Sequence, residues 1–309
     1  MREADATIAA LEFTLPPSSR VLTRMDLAVV IVNYKSRDQV LECLTSLAAG
    51  AGDLAVETVV VDNDSRDGTP EALAALRPGV RVLVNGANLG YARAVNQGLA
   101  ATTAPFVMAM NPDCDVRPGA PAALLVHLRA HPRTAVVGPK VLNSDGTLEY
   151  SARSFPDHLT FLFNRYSLLT RLFPRNRFSR RYLLTDWDHA SVREVDWVSG
   201  ACMMVRRGAI AEVGGMDERF FMFNEDVDWC RRMKLAGWAV AYVPDAVVVH
   251  HIGASRSRVA ARVIVARHLG MIHYFHKHHP THPALSFFAD AFILLRAGLM
   301  MVANALRLR

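Results

Sequence analysis

Continuous apolar runs alternate with stretches of helical spacing, and the alternation begins at Leu27. Residues 27–32 (LAVVIV) read as a buried strand, 40–47 as a helix, 56–62 (VETVVVD) as a second strand and 70–76 as a second helix. The alternation continues through a strand at 80–85, a helix at 91–101 and a strand at 105–110, with a further helix expected at about 119–130. Strands separated by helical segments indicate βαβ units with right-handed crossovers. The expected fold class is therefore α/β, with a mostly parallel central sheet flanked by helices.

The pattern then changes. Residues 150–193 lack clean periodicity and are rich in aromatics and Arg. Regular patterning returns at 197–205 (WVSGACMMV), followed by a helix after Asn224 and two short strands, WAVAYV and AVVVHH. From about 258 the chain reads as a C-terminal helical extension. Residues 1–25 carry Arg2, Glu3, Asp5 and Glu12 without a long apolar run, which suggests a weakly ordered leader rather than a secretory signal. The expected organisation is a leader (1–25), an α/β domain (26–257) with an insert at about 150–193, and a helical segment (258–309).

Polar clusters fall where the strands end. Asn33-Tyr34 follows the first, Asp62 to Gly68 the second, Asn85 to Gly90 the third, and Asn111-Pro-Asp-Cys-Asp115 the fourth. Ligands of open α/β sheets bind at the carboxyl ends of strands, so these clusters form the rim of a site. The 51% of hydrophobic and 21% of charged residues allow a sizeable core and argue against disorder. A formal charge of +6 suits anionic partners without choosing among them. Four dispersed cysteines (43, 114, 202, 230) exclude a disulfide scaffold and a zinc ribbon.

Several groups can carry chemistry. There is no Walker A loop. The GxGxxA string at 50–55 follows a helix and precedes a strand, the reverse of the dinucleotide-binding context. Asp62 at a strand end can accept from a pyrimidine imide, although Asp, Asn, Ser and Gly also make ordinary turns. Asp113 and Asp115 offer hard oxygen ligands for Mg2+ or Mn2+, or else belong to a Pro-containing turn. Cys114 between them is too soft for such an ion and reads as packing. Glu225, Asp226 and Asp228 open a helix, where acids favour the macrodipole and where one can serve as a general base. His250 and His251 close the last strand. The histidines at 273, 276, 278, 279 and 282 read as a solvated or interfacial helix end.

The strings VVIVNYKS, VVVDNDSRDGT, NGANLGYARAVNQG, MNPDCDVRPG, WVSGACMMVRRGAIAEVGGMDERFFMFNEDVDWCRRMKLAGW and VVVHHIGAS together resemble the family 2 glycosyltransferases of GT-A fold. The NPD form and the GGMDERFFMFNEDVDW block are most similar to the rhamnosyltransferase-like branch, whose members act on lipid-linked or polysaccharide acceptors. The resemblance spans about Leu27 to Ser255. It implies that Asn33, Tyr34 and Asp62 line the base and ribose and that Asn88 and Gly90 help hold the nucleotide. It implies metal binding by Asp113 with Asp115, completed by His250, with His251 as the rival by one register position. It implies Asp226 as catalytic base. Asn111 replaces the first acid of the family's DxD-type motif, which puts strict metal dependence in doubt.

The implied activity is inverting sugar transfer from a nucleoside-diphosphate donor (dTDP- or UDP-linked, rhamnose favoured) to a lipid-linked or glycan hydroxyl, with a divalent cation. No nucleic-acid partner is expected. The rivals are a non-catalytic nucleotide- or glycan-binding module and a nucleotidyltransferase. Glu225, Asp228, Arg175 and Arg177 are acceptor-side candidates. The stretch Arg171–Arg181 holds five Arg among eleven residues and suits an anionic lipid or membrane surface, or is a solvated loop. Residues 284–306 are long enough to span a bilayer but carry Asp290 and Arg296. Ser286, Asp290 and Asn304 fall within about 40° of one another on a helix, leaving a wide apolar face. That pattern predicts a helix lying in the interface, on the cytoplasmic face of a membrane, against the rival of a helix packed on the protein.

Overall fold

A computed structural model describes residues 25–158, 160, 172–173, 176–251 and 261–306. The expected leader, apart from Met25, lies outside the described residues, as do Arg171 and Arg175. The first half follows the hydrophobic pattern closely: β1 (Leu27–Asn33), α1 (Arg37–Ala51), β2 (Val56–Asp62), α2 (Thr69–Leu76), β3 (Arg81–Val84), α3 (Tyr91–Ala100) and β4 (Phe106–Met110). Then come β5 (Cys114–Val116), α4 (Ala120–Ala130), β6 (Thr134–Asn143), β7 (Leu148–Glu149), β8 (Ala152–Arg153), α5 (Arg177–Leu183), β9 (Arg193–Glu194), β10 (Trp197–Val198), β11 (Cys202–Arg206) and α6 (Arg207–Val213). The chain continues as α7 (Glu225–Leu235), β12 (Ala239–His250), α8 (Ala261–His278) and α9 (Pro283–Leu306).

One sheet runs in the order β3-β2-β1-β4-β11-β6-β12-β5, with β7 on β6 and β9 on β12. Strands β3, β2, β1 and β4 are parallel, as βαβ connections require. β11 enters antiparallel between β4 and β6, and β12 returns parallel to β6. Every residue of β1 is buried. Ala28, Val30 and Val32 join the core on one face of the sheet, and Leu27, Val29 and Ile31 the core on the other. Covering both faces explains why the strand reads as an unbroken apolar run. Each Val, Leu or Ile among them contributes about 1.5–3 kcal/mol on burial.

Three elements differ from the sequence expectation. β6 was not anticipated, because Gly138 and Pro139 interrupt its apolar pattern. β5 lies where a turn was expected, its pairing with β12 supplied from far along the chain. The two strands expected between 239 and 250 are one: its register on β6 jumps from Val243 to Val247, so a bulge absorbs Pro244 and Asp245 without ending the strand.

The C-terminal helices pack in sequence. α8 seats Tyr274 and Phe275 in the core. α9 packs on α8, buries only Ile293 and Ala297, and pairs Asp290 with His276 at 2.8 Å. Phe287, Phe288, Leu295, Leu299 and Val302 stay exposed. By length and composition α9 suffices to cross a membrane.

Candidate active site

The loops after β1 and β2 enclose a cavity of about 490 Å³ lined by Tyr34, Lys35, Asp64, Ser65, Arg66 and Asp67. Lys35, Asp64 and Arg66 all adopt left-handed backbone conformations, which non-glycine residues hold only where surrounding contacts impose them. Those contacts start from Asn33 and Asp62. Asn33 Nδ2 donates to Asp62 Oδ1 at 2.9 Å and lies within 3.0 Å of the Ser65 and Thr69 hydroxyls. Asp62 Oδ2 accepts from the Ser65 N–H at 3.1 Å. Of the three residues expected at the base and ribose, only Tyr34 lines the cavity, beneath the Lys35 ammonium 5.4 Å from its ring centroid. Asn33 and Asp62 are buried and shape the loops that line it.

The third loop is organised by Asn63, which sequence reasoning passed over. Its Nδ2 donates to Asn88 Oδ1 and the Gly90 carbonyl, and its Oδ1 accepts from Asn85 Nδ2 and the Leu89 N–H. Asn88 is therefore engaged within the loop. Gly90 has φ 92°, and a Cβ there would lie 2.6 Å from the Phe221 carbonyl oxygen. The same carbonyl accepts from the Tyr91 N–H at 2.7 Å. This contact docks the loop against the segment that leads into α7.

At the other end of the rim, His250 is held between two carboxylates. Its Nε2 lies 3.2 Å from Asp113 Oδ1 and its Nδ1 2.9 Å from Glu149 Oε2. Burial works against a charge on this imidazole, but the two carboxylates prevail and push its pKa up to about 9. Apart from His250, buried Asp113 Oδ1 has no partner among the described residues. A buried carboxylate oxygen with an unused lone pair, opposite an imidazole nitrogen, is the donor set a small divalent cation takes. The residues present fit such an ion. The Cys114 thiol is close to both groups. It donates to the Ala201 carbonyl at 3.2 Å, and burial pushes its pKa far up, so it stays a thiol. Asp115, expected beside Asp113, does not join this group: its carboxylate pairs with Arg117 at 3.4 Å. Strand alternation separates it from Cys114. His251 likewise points elsewhere, to the Ser144 hydroxyl at 3.0 Å.

Asp226 opens α7, where the dipole favours a carboxylate. Its Oδ2 accepts from the Gly200 N–H at 2.8 Å and its Oδ1 from its neighbour Val227 at 2.9 Å. Enclosure by protein raises its pKa, while the Gly200 and Val227 amides and the Arg153 guanidinium pull it back. Glu225 is 5% exposed, its Oε2 has no partner, and burial beside Asp226 pushes its pKa well above the carboxylate range. Burial raises both carboxyls, but the Gly200 and Val227 amides and Arg153 favour the charged form of Asp226, which makes it the better candidate for a general base. Two backbone units tie this end to the cation group. Gly200 donates to Asp226 and accepts from the Tyr91 hydroxyl at 3.0 Å, and the Ala201 carbonyl accepts the Asn111 N–H at 2.9 Å.

Asp228 requires a correction as an acceptor-side candidate. It is fully buried and contacts Arg232 at 2.8 Å and Lys277 and His278 at 2.7 Å each. It fastens α7 to α8 and meets no cavity. Glu225, too, is buried rather than presented to an acceptor. Arg177 is exposed and stacks on Phe178 at 4.9 Å. The C-terminal histidines are interfacial: His273 faces Asp217, His276 faces Asp290, and His279 faces Arg231. Glu149 and Arg153 were also missed; they stand in the stretch without periodicity, and no local signal marks them.

A mostly parallel sheet with a polar rim, a nucleotide-sized cavity at one end, a hard-ligand group at the other and a carboxylate at a helix start are features of the GT-A class of nucleotide-sugar transferases. The chain belongs to glycosyl transferase family 2, whose model matches residues 28–214; the model of glycosyl transferase family group 2 matches residues 157–301. It is an enzyme that transfers sugars. The N-acetylglucosaminyl-diphospho-decaprenol L-rhamnosyltransferase of Mycobacterium tuberculosis is 38% identical over 253 residues, 78% of this chain and 81% of that protein. Two solved structures share the fold. The mannosyltransferase PcManGT from Pyrobaculum calidifontis, in complex with GDP-Man and Mn2+, has TM-score 0.55 and 18% identity over 93% of this chain and 75% of that one. GalNAc-T7 with UDP, GalNAc and Mn2+ has TM-score 0.58 and 16% identity over 81% of this chain and 48% of that one.

Proposed function

We propose that this enzyme moves L-rhamnose from a dTDP-linked donor to a hydroxyl of a lipid-linked, diphosphate-bearing acceptor, with inversion at the anomeric carbon. The observation that carries the transfer chemistry is Asp226, an ionisable carboxylate fixed by the Gly200 N–H at the start of α7. The mycobacterial relative supports the choice of sugar and acceptor. The nucleotide base enters the cavity beside Tyr34. Asp113 and His250 would hold a Mg2+ or Mn2+ ion, which neutralises charge on the leaving diphosphate. Asp226 takes the proton of the acceptor hydroxyl as its oxygen attacks the anomeric carbon opposite the diphosphate. One displacement suffices, so one base suffices. Residues 26–257 supply this catalytic unit, with the insert at 150–193 on the acceptor side.

α9 brings the enzyme to the cytoplasmic face of the membrane. Its Asp290 is occupied by His276 on α8, so the outward face is left to Phe287, Phe288, Leu295, Leu299 and Val302. An amphipathic helix of this kind lies in the interface rather than across it. The Arg-rich stretch 171–181, of which Arg177, Arg180 and Arg181 are described, adds anionic-lipid affinity.

The test is a panel of dTDP-rhamnose, UDP-GlcNAc and UDP-galactofuranose with a GlcNAc-diphospholipid acceptor, with Mg2+ and Mn2+ in turn. dTDP-rhamnose should be consumed fastest and only with the ion present. Preferential turnover of a UDP-sugar would reject the donor assignment. Carbonate washing should release the full-length protein from membranes; resistance to it would mean that α9 spans the bilayer.

A further inference from the structure

Glu149 lies outside every string that carries the family resemblance, in a two-residue strand within the least patterned part of the chain. The sheet nevertheless brings it to the rim. β7 pairs with β6 through Val141 and Glu149, and β6 pairs with β12 through Asn143 and His250. Glu149 Oε2 thereby reaches His250 Nδ1 at 2.9 Å, with both side chains 10% exposed. Asp113 Oδ1, on the other side of the ring, is 3.2 Å from Nε2 and otherwise unpartnered.

Burying a second carboxylate here is expensive unless its charge is used. A carboxylate accepting from Nδ1–H keeps that proton on Nδ1, so that Nε2, which points at Asp113, is the nitrogen that would give up its proton to a cation. The same hydrogen bond fixes the ring plane and raises the basicity of Nε2 as a ligand. We propose that Glu149 is a positioning residue that orients His250 so that Nε2, together with Asp113, presents a preformed pair of donors to a divalent cation. This rests on the reading of Asp113 and His250 as the cation-holding pair. The rival is a plain ion pair that staples β7 to β12 and has no bearing on the ion.

Glu149→Met keeps the volume and removes the acceptor, whereas Glu149→Gln keeps an acceptor oxygen within reach of Nδ1–H. Mn2+ binding in the presence of dTDP, followed by the loss of the free-ion electron paramagnetic resonance signal, separates the readings without turnover. Loss of such a partner typically weakens metal affinity roughly 10–100-fold. Glu149→Met should fall in that range and Glu149→Gln should stay within a few-fold of wild type. In a His250→Ala background, Glu149→Met should have no further effect. A folded Glu149→Met protein with wild-type Mn2+ affinity overturns the proposal, as does an equal further loss in the His250→Ala background. Should the Met variant not fold, a Gln variant that loses affinity as His250→Ala does would equally overturn it. Wild-type protein that binds no Mn2+ would instead remove the cation reading, and this proposal with it.

Discussion

The two ends of the active-site rim are built from different chemistry. At the nucleotide end, the contacts are among Asn, Asp, Ser and Thr: Asn33, Asp62, Ser65 and Thr69 in one network, Asn63, Asn85, Asn88 and Gln97 in another. Their members come from consecutive βαβ loops. At the catalytic end, the contacts are ionic and, apart from the helical neighbours Asp228 and Arg232, join residues far apart in the chain: Glu149–His250–Asp113, and Asp228 with Lys277 and His278. The difference follows from what each end must hold. Amides and hydroxyls, with the Asp62 carboxylate among them, fix loop shape at a net gain of about 1 kcal/mol per hydrogen bond. A base and a cation site need carboxylates kept charged inside protein, and that requires opposite charges brought from elsewhere.

The sharpest break comes from the base. Asp226→Asn should lower turnover roughly 10²–10⁴-fold, the usual size of a general-base effect, with donor affinity nearly unchanged. Transfer rate and donor binding measured on one sample check this; near-normal transfer would relocate the base. The nucleotide end should not register the change.

Asp228→Ala should destabilise the fold by about 3–5 kcal/mol, because it removes the buried carboxylate on which Arg232 and His278 converge, while Lys277 keeps Asp217. Hydrogen exchange should then quicken in α7 and α8 while β1 to α3 keep their protection. Burial pushes the Asp228 carboxyl up, but His278, Lys277 and Arg232 together hold it below the ordinary value. Its contribution is therefore complete above the unfolded value near 3.9 and is lost as pH falls toward the folded one. Acid unfolding of the wild type should show this loss, and the Ala variant should lack it.

Asn63→Ala probes the other network. It strands the Leu89 N–H and the Gly90 carbonyl, at a cost of about 1–3 kcal/mol. The donor KM should rise and kcat on saturating donor should hold. A fall in kcat alone would mean that the two ends are not separable.

The smallest effect is electrostatic. Arg153 lowers the Asp226 pKa, so Arg153→Gln should raise it and move the acid limb of the kcat/KM profile to higher pH. An unmoved limb would place the titrating base elsewhere.

How much of this could be read along the chain follows the same division. The four parallel strands and their helices were legible because each buries residues of its own local pattern, and the polar rim was legible because strand ends announce themselves by a switch from apolar to Asn and Asp. Tyr34, Asp113 and His250 stand where such switches occur, and Asp226 where a run of acids opens a helix. The strings could not say that Asp62 would lie beneath the cavity rather than in it, that Asp115 would turn to Arg117, or that Asp228 would be sealed under α8. A carboxylate looks the same in sequence whether it faces a ligand or a lysine.

The sequence by itself determined the α/β order of elements, the strand-end clusters and the apolar length of α9. Only the tertiary structure decided which of those polar groups meet. β11 inserts between β4 and β6 and carries Gly200 and Ala201 to the point where they join Asp226, Tyr91 and Asn111. β6 lies between β7 and β12 and so brings Glu149 to His250. Local pattern is set by hydrophobic period, which a one-dimensional string records. The pairing of distant charges is set by sheet register, which depends on every strand between them.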